Sequence, residues 1–228
     1  MCGFTTRDAA ADLLLGARCP VCGRPGARLC ADCRAALEPR PVATVLGGLP
    51  VVAAGDYARE RRAAVVAFKE RGAHGLAVPL GEQVAAALAA LLPDPGPWAL
   101  VPVPSSPAAV RTRGADVTAL LARAASRVLR GRGADVRVVR ALRQARRVAD
   151  QSGLGVDARA ANLRGSLRAR PAPRATASAG ERTRCLIVDD VVTSGATIVE
   201  AERALTASGW IVAGAAVVAA TPLRVHPG

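Results

Sequence analysis

The stretch Cys185-Leu186-Ile187-Val188-Asp189-Asp190-Val191-Val192-Thr193-Ser194-Gly195-Ala196-Thr197 constrains this chain more than any other. It opens as a short apolar run without periodicity, the pattern of a strand buried on both faces. Two adjacent carboxylates follow, then small and hydroxyl residues. From Ala196 the spacing turns helical, with Ile198, Ala201 and Leu205 on one face and Gly209 placed to end the helix. The polar residues therefore sit at a strand-to-helix turn, where an open α/β sheet places its ligands.

The residue types define what ligand suits the turn. Backbone N–H groups opening the helix are unpaired and carry the positive end of its dipole. Thr193, Ser194 and Thr197 add hydroxyl donors, and Gly195 and Ala196 let an anion approach. Asp189 and Asp190 repel a phosphate, so they face another part of the ligand, where hydroxyls or a metal-bound water donate to them. A sugar with a phosphate on one side and vicinal hydroxyls on the other satisfies both halves. The plainer alternative is an ordinary buried strand ending in a capped helix, but aspartate is rarely buried unless paired. A P-loop is excluded, because no Gly-Lys-Ser/Thr follows the glycine.

With 228 residues, the chain has room for one full α/β domain and a small appendage. No apolar run approaches the length of a membrane span. Leu13-Leu14-Leu15 is too short for a signal peptide and follows Asp8 and Asp12, so a cytoplasmic location is expected. The net charge of +13 suits an acidic partner such as nucleic acid, or a phosphorylated substrate. Of the 31 basic residues only Lys69 is a lysine; the other 30 are arginine. That arginine excess resembles codon bias and weakens the reading of single arginines, whereas Lys69 stands out for its compact charge.

Cys19-Pro-Val-Cys22 and Cys30-Ala-Asp-Cys33 form two C-x2-C pairs, with Gly23, Pro25 and Gly26 supplying turns. Four thiolates at this spacing predict a closed structural zinc site; two disulfides are the rival, disfavoured in a cytosolic chain. Such a knuckle binds nucleic acid or clamps a terminus. No aromatic residue lies between the pairs for base stacking, which favours the clamp. Cys185 reads as a core residue.

Further elements follow in order. A strand is predicted over Pro50–Gly55 and a helix from about Arg59 to Arg71, with Val65 and Phe68 inward and Lys69 near its end. A second helix from about Gly81 carries Val84, Leu88, Leu91 and Leu92. The strand Trp98–Val103 runs into Pro104-Ser-Ser-Pro107, then Arg111, Arg113 and Gly114, with a helix beyond on Val117, Leu120, Leu121, Ala124 and Val128. Guanidinium forks at that turn suit a diphosphate, the alternative being a solvated basic loop. After a strand over Val136–Val139, the polar and basic 140–165 segment reads as a lid or an exposed basic helix. Pro171–Gly180 reads as a surface insertion, and Trp210–Ala219 as the last strand.

Asp189 through Thr197 resembles the phosphoribosyl-diphosphate (PRPP) loop of type I phosphoribosyltransferases. With the four-cysteine knuckle, Tyr57 through Lys69, Val101-Pro-Val-Pro104 with Arg111, Arg113 and Gly114, and Gln151, Leu154, Arg159 and Asn162, the chain is similar to the ComF family of competence-associated proteins. The resemblance implies a type I phosphoribosyltransferase-like α/β fold with a mainly parallel sheet over 46–228, after an N-terminal helix and zinc knuckle over 1–45. It implies PRPP with Mg²⁺, or ribose 5-phosphate, held by Asp189, Asp190, Val192, Thr193, Ser194, Gly195, Ala196 and Thr197, and transfer of phosphoribose to a nucleobase-like acceptor. Asp189 and Asp190 would orient the ribose, while Lys69, Arg111 and Arg113 would stabilise the leaving diphosphate. The chain departs from the family at Ala115-Asp116-Val117, where a polar pair is usual after Arg-Gly. A non-catalytic role in DNA uptake is the alternative, with single-stranded DNA or a competence helicase as partner. Phe68, Trp98 and Trp210 fall in expected core elements, so DNA binding would be electrostatic and steeply salt-dependent.

Overall fold

The computed structural model describes residues 18–26, 29–94, 96–145, 163–173 and 183–221. The expected N-terminal helix, the body of the expected lid with Gln151, Leu154, Arg159 and Asn162, and most of the 171–180 insertion lie outside the described residues. Among the described residues no helix is long and apolar enough to cross a membrane.

A six-stranded sheet in the order β1-β2-β8-β7-β3-β4 forms the frame. Its strands are β1 (Val42–Leu46), β2 (Leu49–Ala53), β3 (Trp98–Pro102), β4 (Val136–Val138), β7 (Arg184–Val192) and β8 (Ile211–Ala220). Every pairing is parallel except β1 with β2, which the two-residue Gly47-Gly48 turn joins with both φ values positive. The helices are α1 (Ala31–Ala36), α2 (Arg59–Glu70), α3 (Ala77–Ala89), α4 (Pro107–Arg113), α5 (Val117–Gly131) and α6 (Ala196–Thr206).

Both faces of the sheet are covered, as a parallel sheet requires. Side chains of β7 alternate between two cores. Leu186 and Val188 pack on one face with Phe68 of α2, Leu80 and Leu88 of α3, and Leu121 of α5. Cys185 and Ile187 pack on the other with Ile198, Ala201 and Leu205 of α6. Cys185 is fully buried in this second core, where burial raises its thiol pKa to about 12. The structure thus bears out its reading as a core residue.

Three sequence expectations change. The second helix begins at Ala77, not near Gly81, because Pro79 falls in its first turn, where its missing N–H costs no hydrogen bond; Leu91 and Leu92 lie beyond its end. The expected turn before the Val117 helix contains α4, with Ser106 accepting from the Ala109 amide at 3.1 Å, Pro107 at its start and Gly114 left-handed at its end. The expected lid begins with β5 (Leu142–Gln144), which pairs antiparallel with β6 (Leu167–Ala169) just past the lid's end.

Helices α3 and α5 meet at Gly81. A Cβ there would stand 2.3 Å from Ala124 Cβ and 3.1 Å from the Ala125 nitrogen. Gly81→Ala gains about 1 kcal/mol of helix propensity, but overpacking costs about 1–3 kcal/mol. The neighbours include backbone, so the clash should win. Urea denaturation should show a lower midpoint for the variant; a higher one would mean the helices separate freely.

Candidate functional site

At the carboxyl ends of β3 and β7, a cleft of about 330 Å³ brings together Lys69, Ser105, Ser106, Arg113, Asp189, Asp190 and Thr197. Five segments supply them, β7 giving both aspartates. Lys69 comes from the last turn of α2 and Arg113 from the last turn of α4, while Ser105 and Ser106 follow β3. Thr197 lies in the first turn of α6.

Both carboxylates lie within β7 rather than beyond it, and both are buried, Asp189 at 9% and Asp190 at 6% exposure. The strand's alternation puts Asp190 on the face of Leu186 and Val188, where α2 packs beside α3 and α5. There Lys69 Nζ donates to Asp190 Oδ1 at 3.2 Å and stands 3.0 Å from Oδ2. Burial works against the charge on Lys69, but the Asp190 carboxylate outweighs it and raises the ammonium pKa.

Among the described residues no such cation pairs with Asp189. Its Oδ1 accepts the Asp190 amide at 2.8 Å. Burial, and then the negative charge of Asp190, push its pKa up to about 8. The two carboxylates thus meet different surroundings: Lys69 compensates Asp190, whereas burial and the charge of Asp190 oppose ionisation of Asp189.

Sequence reasoning gave Asp116 no role. Its carboxylate caps α5 by accepting the Ala119 amide at 3.4 Å, and it accepts from Arg140 Nη2 at 2.9 Å. Its charge also contributes to raising the Asp189 pKa. An aspartate directly before the apolar run from Val117 was the available signal. Asp116 therefore builds a helix cap beside the cleft. Arg111, by contrast, is exposed and does not line the cleft.

The turn between β7 and α6 is built as expected. Gly195 is the N-cap of α6 with φ +78°, and no side-chain cap satisfies the first amides of the helix. A Cβ on Gly195 would stand 2.7 Å from Leu46 Cδ1, so the β1–β2 hairpin backs this turn and excludes larger residues. Thr193 is exposed, Ser194, Ala196 and Thr197 are half-buried, and Val192 is a core residue that offers only its backbone.

A second cluster forms at the amino end. The Sγ atoms of Cys19, Cys22, Cys30 and Cys33 lie within 4.8 Å of one another, close enough to hold a metal such as zinc. Cys22 and Cys30 sulfurs are 3.7 Å apart, near the edge of about 3.8 Å that a tetrahedron of 2.3 Å Zn–S bonds requires. All four are free thiols. Burial opposes ionisation of Cys19, but amides of Cys22, Cys30 and Val21 turned towards it outweigh that and lower its pKa to about 6. Burial and the other three sulfurs raise that of Cys33. Among the described residues this is the one cluster of three or more metal-ligating side chains. Arg71 Nη2 donates to the Pro20 carbonyl at 3.0 Å, and Leu37 enters the main core, so the knuckle is fastened to the body. No protein-family model matches the chain, and no curated protein does.

Proposed function

We propose that this chain is a ComF-like phosphoribosyltransferase-type protein that binds PRPP and transfers its phosphoribosyl group to a nucleobase-like acceptor. The observation that carries the reading is the convergence, at the carboxyl ends of parallel strands, of a buried aspartate pair, a lysine, an arginine and an uncapped helix start. Open α/β sheets bind phosphorylated ligands at this position. In this reading the first turn of α6 holds the 5′-phosphate, with Thr193, Ser194 and Thr197 donating from their hydroxyls. Asp189 and Asp190 hold the ribose hydroxyls. Lys69 and Arg113 face the diphosphate and stabilise the charge that grows on it as the C1–O bond loosens. Mg²⁺ enters with PRPP as part of the substrate, neutralising the diphosphate. The four-cysteine cluster is proposed to hold one structural zinc that clamps the amino end to the body.

Magnesium-PRPP at about a hundred times its dissociation constant should stabilise the folded chain by roughly 2.7 kcal/mol, seen as a rise in melting temperature. Binding of single-stranded DNA alone would give no such response to PRPP. Asp190→Asn preserves shape but removes charge-assisted bonds to the hydroxyls, and should weaken PRPP about tenfold or more in calorimetric titration. Asp189→Asn should weaken it less, since burial and the charge of Asp190 already oppose ionisation of Asp189. Equal affinity in the wild type and both variants would show that the acidic pair does not meet the sugar.

A further inference from the structure

The cleft already pairs a cation with its acid before any ligand arrives. Lys69 straddles Asp190, with its Nζ 3.2 Å from one carboxylate oxygen and 3.0 Å from the other. The Asp190 side chain is only 8% exposed and that of Lys69 33%, so the ammonium occupies the approach to both oxygens. The sugar-phosphate reading assigns that carboxylate to the ribose hydroxyls. Those hydroxyls and the ammonium compete for the same atoms, and the ammonium is the stronger donor. Arg113 lines the same cleft and repels the charge on Lys69.

We infer that Lys69 determines ligand specificity: its ion pair with Asp190 closes the ribose subsite to sugar monophosphates, and a diphosphate opens it by drawing the ammonium away. The inference rests on the sugar-phosphate reading above. A ligand shifts such an equilibrium only through its differential affinity for the two states. Ribose 5-phosphate spends its one phosphate at the start of α6 and offers Lys69 no replacement for Asp190. PRPP carries a second, more highly charged group to the side of the cleft where Lys69 and Arg113 stand, and Arg113 favours departure of Lys69 towards it. Ribose 5-phosphate should therefore bind more weakly than PRPP, because it has to displace Lys69 and also lacks the contacts of the diphosphate.

The test is calorimetric titration of the full chain with ribose 5-phosphate and with magnesium-PRPP, using wild type, Lys69→Met and Arg113→Met. Lys69→Met should bind ribose 5-phosphate about tenfold more tightly than wild type, within the usual range of coupling between sites, while binding PRPP more weakly. Arg113→Met should weaken PRPP without tightening ribose 5-phosphate, separating the latch from a general loss of positive charge. Circular dichroism checks that each variant is folded, and Lys69→Gln replaces Lys69→Met if the latter is not. If wild type binds PRPP but loss of Lys69 leaves ribose 5-phosphate unchanged or weaker, the selector role is overturned and the sugar-phosphate reading stands. If wild type binds neither ligand, that reading falls and the selector role falls with it.

Discussion

Treatment with EDTA is expected to unfold the cysteine knuckle while leaving the six-stranded sheet intact. Among the described residues the knuckle is held by a helix of six residues, a bridge between Arg18 and Pro25, the Arg71 bond to Pro20, packing of Val21, Leu29 and Leu37 on the core, and exposed ion pairs of Arg24 with Asp32 and Arg34 with Glu82, which contribute little in water. Structural zinc sites supply roughly 10–16 kcal/mol in small peptides, far more than these contacts. Protein purified without chelator should carry about one zinc per chain by elemental analysis. Hydrogen exchange should lose protection at Cys19, Gly23 and Arg34, whose amides bond within the knuckle, on chelation or in Cys22→Ser. Amides of β7 and β8 should keep theirs. Unchanged exchange in the knuckle after complete metal removal would show that it stands without metal.

Asp189→Asn is expected to stabilise the empty protein at alkaline pH and to flatten its pH dependence. Burial and the neighbouring charge of Asp190 raise the folded-state pKa of Asp189 from 3.8 to about 8. Between those values the folded state holds a proton that the unfolded chain has lost, so the Asp189 contribution to stability falls as pH rises through this window. Above pH 8 the loss levels off. At 1.36 kcal/mol per pKa unit it amounts to at most about 6 kcal/mol, less whatever the site relaxes. Asparagine cannot ionise and can still accept the Asp190 amide. Denaturant titrations from pH 5 to 9 should therefore show wild type losing stability relative to the variant as pH rises. Parallel curves would mean that Asp189 ionises without cost, with a compensating cation moving to it.

The strand-turn-helix from Cys185 to Thr206 was legible because its signals are local: an apolar run, then a glycine, then helical spacing. The cysteine cluster was legible for the same reason, since spacing alone sets how four thiols can meet. What stayed hidden lies in pairings. Lys69 is separated from Asp190 by 121 positions, and only the placing of α2 on that face of the sheet brings them together. The short β1 between Pro41 and Gly47 has the mixed exposure of an edge strand and no strong alternation to mark it. Strands β5 and β6 have three residues each, too few for a periodicity. The Ser106-Pro107 start and the Gly114 stop of α4 were present in the sequence, but a seven-residue helix offers no apolar stripe to connect them.

The alternation of β7 has a kinetic consequence. One strand sends its side chains to two separate cores and carries both aspartates at its end. A slip of one residue against β3 or β8 would exchange the faces of all of them. Leu186 would meet α6, and Asp190 would leave the side where Lys69 waits. Such a misregistered sheet still buries apolar surface, so hydrophobic collapse alone penalises it weakly. The Lys69–Asp190 pair adds little to that penalty, because the same slip carries the adjacent Asp189 to the face of Lys69. What holds the register is the close fit of the β7 side chains in two different cores, in a parallel sheet whose long-range pairings form slowly.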